Sequence, residues 1–342
     1  MVLPSPRRPA RRRLAGLAFA LVAAGTLAAP ANAAPSAAAT PFEQYGRVWV
    51  CGTSLCDENG DPVQLRGMST HGTQWYEQCV TDESLDVLAY DWGADVLRVS
   101  TYVQEGGYET DPQYFTDLAS RVIEEATERG LYVVVDWHML DPGDPNANTA
   151  LAQRFFRDIT ARFGDQDNIL YEIANEPNGV SWQAIRNYAH TLIPVVRQGD
   201  PDAVVIVGTR AWSSLGVSDG ADESEVVDAP VNAENIMYTF HFYAASHQDW
   251  YLDTLARAAE ELPIFVTEFG TQEYTGDGPD DFAMSQRYLD LMERENISWT
   301  NWNYSDDFRS GAVFEPGTCD NGDWADPGAL KEAGEWIRDR IG

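Results

Sequence analysis

Lysine is nearly missing from this chain. Lys331 alone supplies it, and the rest of the 23 basic residues are arginines, set against 54 acidic residues. Five of the arginines (Arg7, Arg8, Arg11, Arg12, Arg13) fall at the very start, so the remainder carries 18 basic and 54 acidic groups, a net −36. A field of that sign repels phosphate backbones and anionic lipid, which excludes nucleic acid and membrane surfaces as partners. A neutral polymer is indifferent to it. An acidic, lysine-poor surface suggests salt tolerance, with an acidic exported protein shaped by solubility as the plainer alternative.

Cysteine is scarce as well, at four residues, and no C-x-x-C pair occurs, which speaks against a metal site of thiolates. In an oxidising compartment four cysteines form two disulfides, with three possible connectivities. Cys51 and Cys56 flank the short turn Gly52-Thr53-Ser54-Leu55 and are expected to pair locally, leaving Cys79 for Cys319. No Pro/Thr/Ser linker, internal repeat or second composition regime breaks the later chain, so one domain is expected and no appended module. Long apolar runs are limited to residues 14–29, too short and wrongly flanked for a membrane span. Arginines before that run and Ala31-Asn32-Ala33 after it mark residues 1–33 as a secretory signal peptide. Residues 34–41, rich in Ala, Pro and Ser, read as a disordered lead-in, and residues 42–342 as the folded, catalytic domain.

What remains is an alternation. After a hairpin region from Val48 to Gly60, short apolar segments rich in Val and Ile recur at 63–68, 96–99, 132–136, 169–173, 204–207, 236–240, 264–267 and 298–302. Such runs fit strands buried on both faces. Amphipathic stretches separate them; in the clearest, Phe115, Leu118, Val122 and Ala126 recur at helical spacing, opened by Asp111-Pro112 and closed by Gly130. Eight such strands predict an α/β fold, a single (β/α)8 barrel with a short N-terminal β-hairpin and its site at the C-terminal ends of the strands. A doubly wound sheet would need a Gly-rich first turn, and Ser69-Thr70-His71-Gly72 does not provide one.

Polar residues gather at those strand ends. Two apolar runs stop at a glutamate, one in Asn175-Glu176-Pro177 and the other in Thr267-Glu268-Phe269. Two carboxylates delivered by separate strands to one face are what a retaining glycosidase needs, one as acid/base and one as nucleophile. Around them fall His71, Trp75, Arg98, Tyr102, His138, Trp212, His241, Tyr243 and Trp302. Singly, a strand-end His or Trp is usually structural; together on one face they describe a site. A metal-dependent hydrolase using His71, His138 and His241 lacks an H-x-H pair on any strand, and no cofactor or metal is expected.

Residues 65–76, 171–178, 241–244, 266–270 and 298–303, in order and at suitable spacing, resemble glycoside hydrolase family 5, and within it the bacterial endo-β-1,4-glucanases. The resemblance implies an exported, monomeric, retaining enzyme acting on β-glucan. It implies Glu176 as acid/base and Glu268 as nucleophile, with carboxyls about 5 Å apart. Arg98 would pair with Glu268 and keep it ionised, while Tyr243 would donate to the same carboxylate. Asn175 would bond the sugar 2-hydroxyl, His138 and His241 would hold hydroxyls and orient the groups behind the site, and Trp302 would floor the reacting sugar. Trp75, Tyr102 and Trp212 look like platforms for neighbouring sugars, whereas Trp49, Trp182, Trp250 and Trp336 read as packing residues. Asp307 stands where many relatives have a lysine that reaches a glycone-side sugar, which implies a weaker dependence on that subsite. Phe269 follows the nucleophile where Trp is common.

Overall fold

The computed structural model describes residues 39–342; residues 1–33, read from the sequence as a signal peptide, and residues 34–38 of the expected lead-in lie outside the described residues. At the end of the lead-in, Thr40 caps a helix, Pro41–Tyr45, through a reciprocal bond with Glu43. Strands β1 (Trp49–Cys51) and β2 (Ser54–Cys56) form the antiparallel hairpin, closed by the Cys51–Cys56 disulfide. Eight parallel strands follow: β3 (Arg66–Thr70), β4 (Val96–Tyr102), β5 (Tyr132–His138), β6 (Ile169–Glu172), β7 (Val204–Val207), β8 (Ile236–Tyr243), β9 (Ile264–Gly270) and β10 (Ser298–Tyr304). They close into a barrel with β10 paired to both β9 and β3. The (β/α)8 expectation holds.

The first barrel strand begins later than residue 63, because Val63 and Leu65 belong to a different layer. They pack with Val48 and Leu55 of the hairpin region against inward-facing Val96, Tyr132, Val134, Leu170, Val204, Ile206, Met237 and Phe265. The hairpin thus seals the N-terminal mouth of the barrel. Outward-facing strand residues (Leu97, Val99, Val133, Val135, Tyr171, Val205) join the apolar stripes of the helices in a separate, larger core. Long helices such as Pro112–Glu128, Thr149–Phe163, Trp182–Gly199 and Asp249–Glu261 form the outer ring.

Strict two-residue alternation now decides where chemistry can sit. If Val96, Tyr132 and Leu170 face the axis, so must Arg98, Asp136 with His138, and Glu172 higher on the same strands. Register aligns them, pairing Asp136 with Glu172 and Tyr102 with His138. On β9 the alternation breaks. Between the pairings Thr239–Phe265 and His241–Glu268, β8 advances two residues and β9 three, which is a bulge. The extra residue lets Thr267 and Glu268, neighbours in sequence, both face inward, while Val266 and Phe269 stay in the outer core.

At the C-terminal mouth a second disulfide joins Cys79, after β3, to Cys319, after β10, with Cα atoms 4.8 Å apart across 240 residues of chain. Both pairings follow the sequence expectation. Among the described residues, no helix is long and apolar enough to cross a membrane.

Candidate active site

Above the apolar plug lies a layer of charge. Arg98 is fully buried, and its guanidinium reaches Glu172 (2.7 Å), Asp136 (2.9 Å) and Glu268 (3.2 Å) as well as Asn175 Oδ1 (2.7 Å). One cation among three buried carboxyls cannot neutralise them all. Burial together with the charge of Glu268 pushes Asp136 up to about 7, despite Arg98, and burial raises Glu172 as well. Arg98, expected among the sugar contacts, does not line the cleft; it sits beneath the carboxylates and orders them.

Glu268 is gripped at both oxygens. Tyr243 Oη donates to Oε1 at 2.6 Å and Arg98 Nη1 to Oε2 at 3.2 Å. Burial and the nearby Glu268 charge hold the Tyr243 phenol well above its ordinary range, so it remains a donor. Glu176, delivered by the turn after β6, meets a different environment. It is 13% exposed to the cleft, and its Oε1 lies 3.0 Å from His241 Nδ1. Burial, reinforced by Asp136 and Glu172 and opposed by Arg98, pushes its carboxyl up to about 8. The two glutamates and His241 each bring one polar atom within 4.8 Å of the others. Two close carboxyls thus differ in environment, one clamped by donors and one inclined to keep its proton.

The turn carrying Glu176 is pinned from below. Gly208, just after β7, passes so close to Ala174 that a Cβ there would stand 2.2 Å from the Ala174 carbonyl oxygen. Trp212 N–H donates to the Pro177 carbonyl at 3.0 Å, and Ser213 Oγ bonds the Asn175 carbonyl. Ala211, Trp212 and Ser213 all adopt positive φ (60°, 58° and 53°), a left-handed run that non-glycine residues seldom tolerate. It turns the Trp212 indole outward, 46% exposed.

Asn175 and His138 complete the inner layer. His138 Nδ1 lies 2.7 Å from Asp136, and its Nε2 lies 3.3 Å from Asn175 Nδ2. Since Asn175 Oδ1 accepts from Arg98, its amide must donate to His138. Burial, then the Arg98 charge, holds His138 far below its usual range, so the ring is neutral. With both ring nitrogens of His138 committed and a guanidinium already among the carboxylates, this inner layer of Arg98, Asp136, Glu172 and His138 does not fit a divalent ion.

Over this layer the cleft opens into two cavities of about 620 Å³ each, which share Glu176, Tyr243 and Tyr274. His71, Trp75, Tyr102, His138, Glu268 and Trp302 line the first. There Trp302 stacks on His138 with centroids 5.3 Å apart, and Tyr102 stacks on the other side at 4.1 Å. Trp75 stands half-exposed, edge-on to Tyr102. Asp307 on the wall is buried against Arg309 (2.8 Å) and His71 (3.4 Å). Burial alone would raise its carboxyl, but the bonds from His71 and Arg309 outweigh it and hold Asp307 below the ordinary carboxylate range. Arg309, missed in the sequence, therefore supplies a cation to this wall.

Trp212, His241 and Trp250 line the second cavity. Trp250 corrects the sequence reading: it is 54% exposed, beside the cleft, because its helix begins at Asp249 on the barrel's C-terminal rim. Trp49, also read as packing, is 43% exposed on the hairpin, with its Nε1 donating to the Asp57 carbonyl. Trp182 is buried, and Trp336 packs between Phe282 and Arg340. Glu172 and Thr267 were missed altogether. Both look like ordinary strand residues until the inward register is known.

Residues 56–308 match the family model for cellulase (glycosyl hydrolase family 5). The chain is 62% identical over 302 residues to endoglucanase E-5 of Thermobifida fusca, covering 88% of this chain and 65% of that protein. It is 59% identical over 305 residues to endoglucanase MaCel5A of a Microbulbifer species, covering 88% of this chain and 59% of that one. It therefore spans less than two thirds of the length of these relatives. Among solved structures, the catalytic domain of Thermobifida fusca endoglucanase Cel5A superposes with a TM-score of 0.88 at 61% identity, covering 89% of this chain and 99% of that one. A variant of that domain has been solved in complex with cellotetraose. The fold, the paired glutamates and these likenesses converge: the chain belongs to glycosyl hydrolase family 5.

Proposed function

We propose that this protein is an exported, retaining endo-β-1,4-glucanase that cleaves internal bonds of cellulose and related β-glucans by double displacement. The observation that carries the reading is the unequal pair: Glu268 held by two donors, and Glu176 within 4.8 Å of it in surroundings that favour the protonated form. A spacing near 5 Å leaves no room for water between nucleophile and sugar, which is the retaining arrangement.

In the first step Glu268 attacks the anomeric carbon as its bond to the leaving oxygen breaks, and Glu176 gives that oxygen its proton. The resulting glycosyl ester removes the negative charge at Glu268. Glu176, now ionised, takes a proton from water as the water oxygen joins the anomeric carbon and the ester bond to Glu268 breaks. Trp302, Trp75 and Tyr102 present ring faces and edges for glycone sugars, and Trp212 and Trp250 do so on the leaving-group side. Asn175, its Oδ1 held by Arg98 and its amide braced by His138, is pre-organised to offer its second amide hydrogen to a hydroxyl of the reacting sugar. Relatives at high identity that are endoglucanases, and one bound to cellotetraose, support the choice of substrate. Residues 1–33 and the two disulfides support export.

The test is reducing-sugar release from carboxymethyl cellulose, mannan and xylan side by side, with Glu268→Gln as control. Glucan-selective release abolished in the variant is expected. A preference for mannan or xylan would overturn the substrate, and activity surviving in Glu268→Gln would overturn the mechanism.

A further inference from the structure

The bulge in β9 places Thr267 Oγ1 between two buried groups, 2.8 Å from Glu172 Oε1 and 2.9 Å from His241 Nε2. A hydroxyl has one hydrogen to give. Glu172 accepts from Arg98 at both oxygens, 2.7 and 3.2 Å, so it is an acceptor towards Thr267 too. The hydroxyl hydrogen therefore points to Glu172, and Thr267 can only accept from His241. That fixes the imidazole proton on Nε2 and leaves a lone pair on Nδ1. Nδ1 faces Glu176 Oε1 at 3.0 Å, and the one hydrogen available for that bond is the carboxyl's own.

We infer that Thr267 and Glu172 are positioning residues that set the His241 tautomer, and through it hold Glu176 as the acid form required for leaving-group protonation. This rests on the reading of Glu176 as acid/base. An ionised Glu176 would call for Nδ1–H; Nε2 would then draw the Thr267 hydrogen away, and Glu172 would lose a donor in a buried site. After Glu176 has given its proton to the departing oxygen, its carboxylate faces an imidazole lone pair, which makes it a ready base for the incoming water. The other ionisable groups around it come from several elements: Arg98 and Tyr102 on β4, Asp136 on β5, Tyr243 on β8 and Glu268 on β9. Arg210, after β7, is engaged with Asp219 and Glu225. None of them bonds the Thr267 hydroxyl, whose partners are Glu172 and His241.

The experiment compares pH profiles of kcat/KM on a soluble cello-oligosaccharide for the full chain, Thr267→Ser and Thr267→Val. The serine variant is expected to keep the alkaline limb of the parent. The valine variant, similar in shape but without the hydroxyl, is expected to move that limb down by about one pH unit, the scale of one net hydrogen bond. A uniform loss of activity with the limb unmoved would reduce Thr267 to a structural role and overturn the inference. Nitrogen NMR of the parent protein, with the His241 signal assigned by its absence in His241→Asn, decides independently of how the valine variant folds. Protonation on Nε2 is expected, and protonation on Nδ1 would overturn the relay. If Glu176→Gln kept an unchanged alkaline limb, the acid/base reading itself would fall, a failure distinct from that of the relay.

Discussion

At the scale of single residues the chemistry reduces to how one arginine is shared. Among the described residues Arg98 is the only arginine or lysine paired with Asp136, Glu172 and Glu268, all of them buried. Replacing it with methionine strands uncompensated charge, for which about 3–5 kcal/mol of stability is expected to be lost. Chemical denaturation of Arg98→Met checks this, and a loss under 1 kcal/mol would contradict it. The raised Glu176 carboxyl, at about 8, predicts that kcat/KM falls on the alkaline side of that value as the acid ionises. A substrate with a leaving group too acidic to need protonation should be spared in the first step. Burst kinetics of Glu176→Ala on a dinitrophenyl cellobioside are therefore expected to retain a fast phase, and loss of that phase would contradict the assignment. Glu176 and Glu268 were legible in the sequence because each ends an apolar run. Glu172 and Thr267 were not, since nothing local separates a strand residue facing the axis from one facing the helices.

At the scale of elements, two departures from regularity shape the site. The β9 bulge turns two neighbouring residues inward, and no pattern of apolar residues in Ile264 to Gly270 announces it. The left-handed run at Ala211 to Ser213 spends backbone strain to present Trp212. Glycine tolerates positive φ without the roughly 1–2 kcal/mol penalty of other residues. Trp212→Gly is accordingly expected to leave the melting temperature equal or higher while activity on cello-oligosaccharides drops about tenfold, an amount worth roughly 1.4 kcal/mol. A variant that loses stability and activity together would point to packing instead. Trp250 reads as a packing residue in the sequence because nothing local shows that its helix begins at the rim of the cleft, where the side chain is exposed. Trp250→Ala should change where long oligomers are cut and leave aryl glycosides, which carry no second leaving-group sugar, unaffected.

At the scale of the whole molecule, the eight-strand order was readable because most of the barrel strands carry short Val/Ile runs, as in Val96–Tyr102, Tyr132–His138 and Val204–Val207, whereas the plug formed by Val63 and Leu65 looked like part of the first strand. The acidic excess, 54 acidic against 23 basic residues, predicts a repulsive fold that salt relieves. Melting temperature is expected to rise between about 10 mM and 0.5 M NaCl, where the Debye length shrinks from about 30 Å to a few ångströms; a flat or falling trend would contradict this. Asp136 and Glu176 have folded-state values raised to about 7 and about 8, above ordinary carboxyls. The folded chain therefore binds more protons than the unfolded one in that window. Their contribution to stability is complete at low pH and is lost as pH climbs through those values. The retaining double displacement can be tested in one step by treating the protein with a 2-deoxy-2-fluoro cellobioside bearing a good leaving group and mapping the trapped sugar by peptide mass spectrometry. Label on Glu268 is the expected result; label on any other residue, or none despite active hydrolysis, would contradict it.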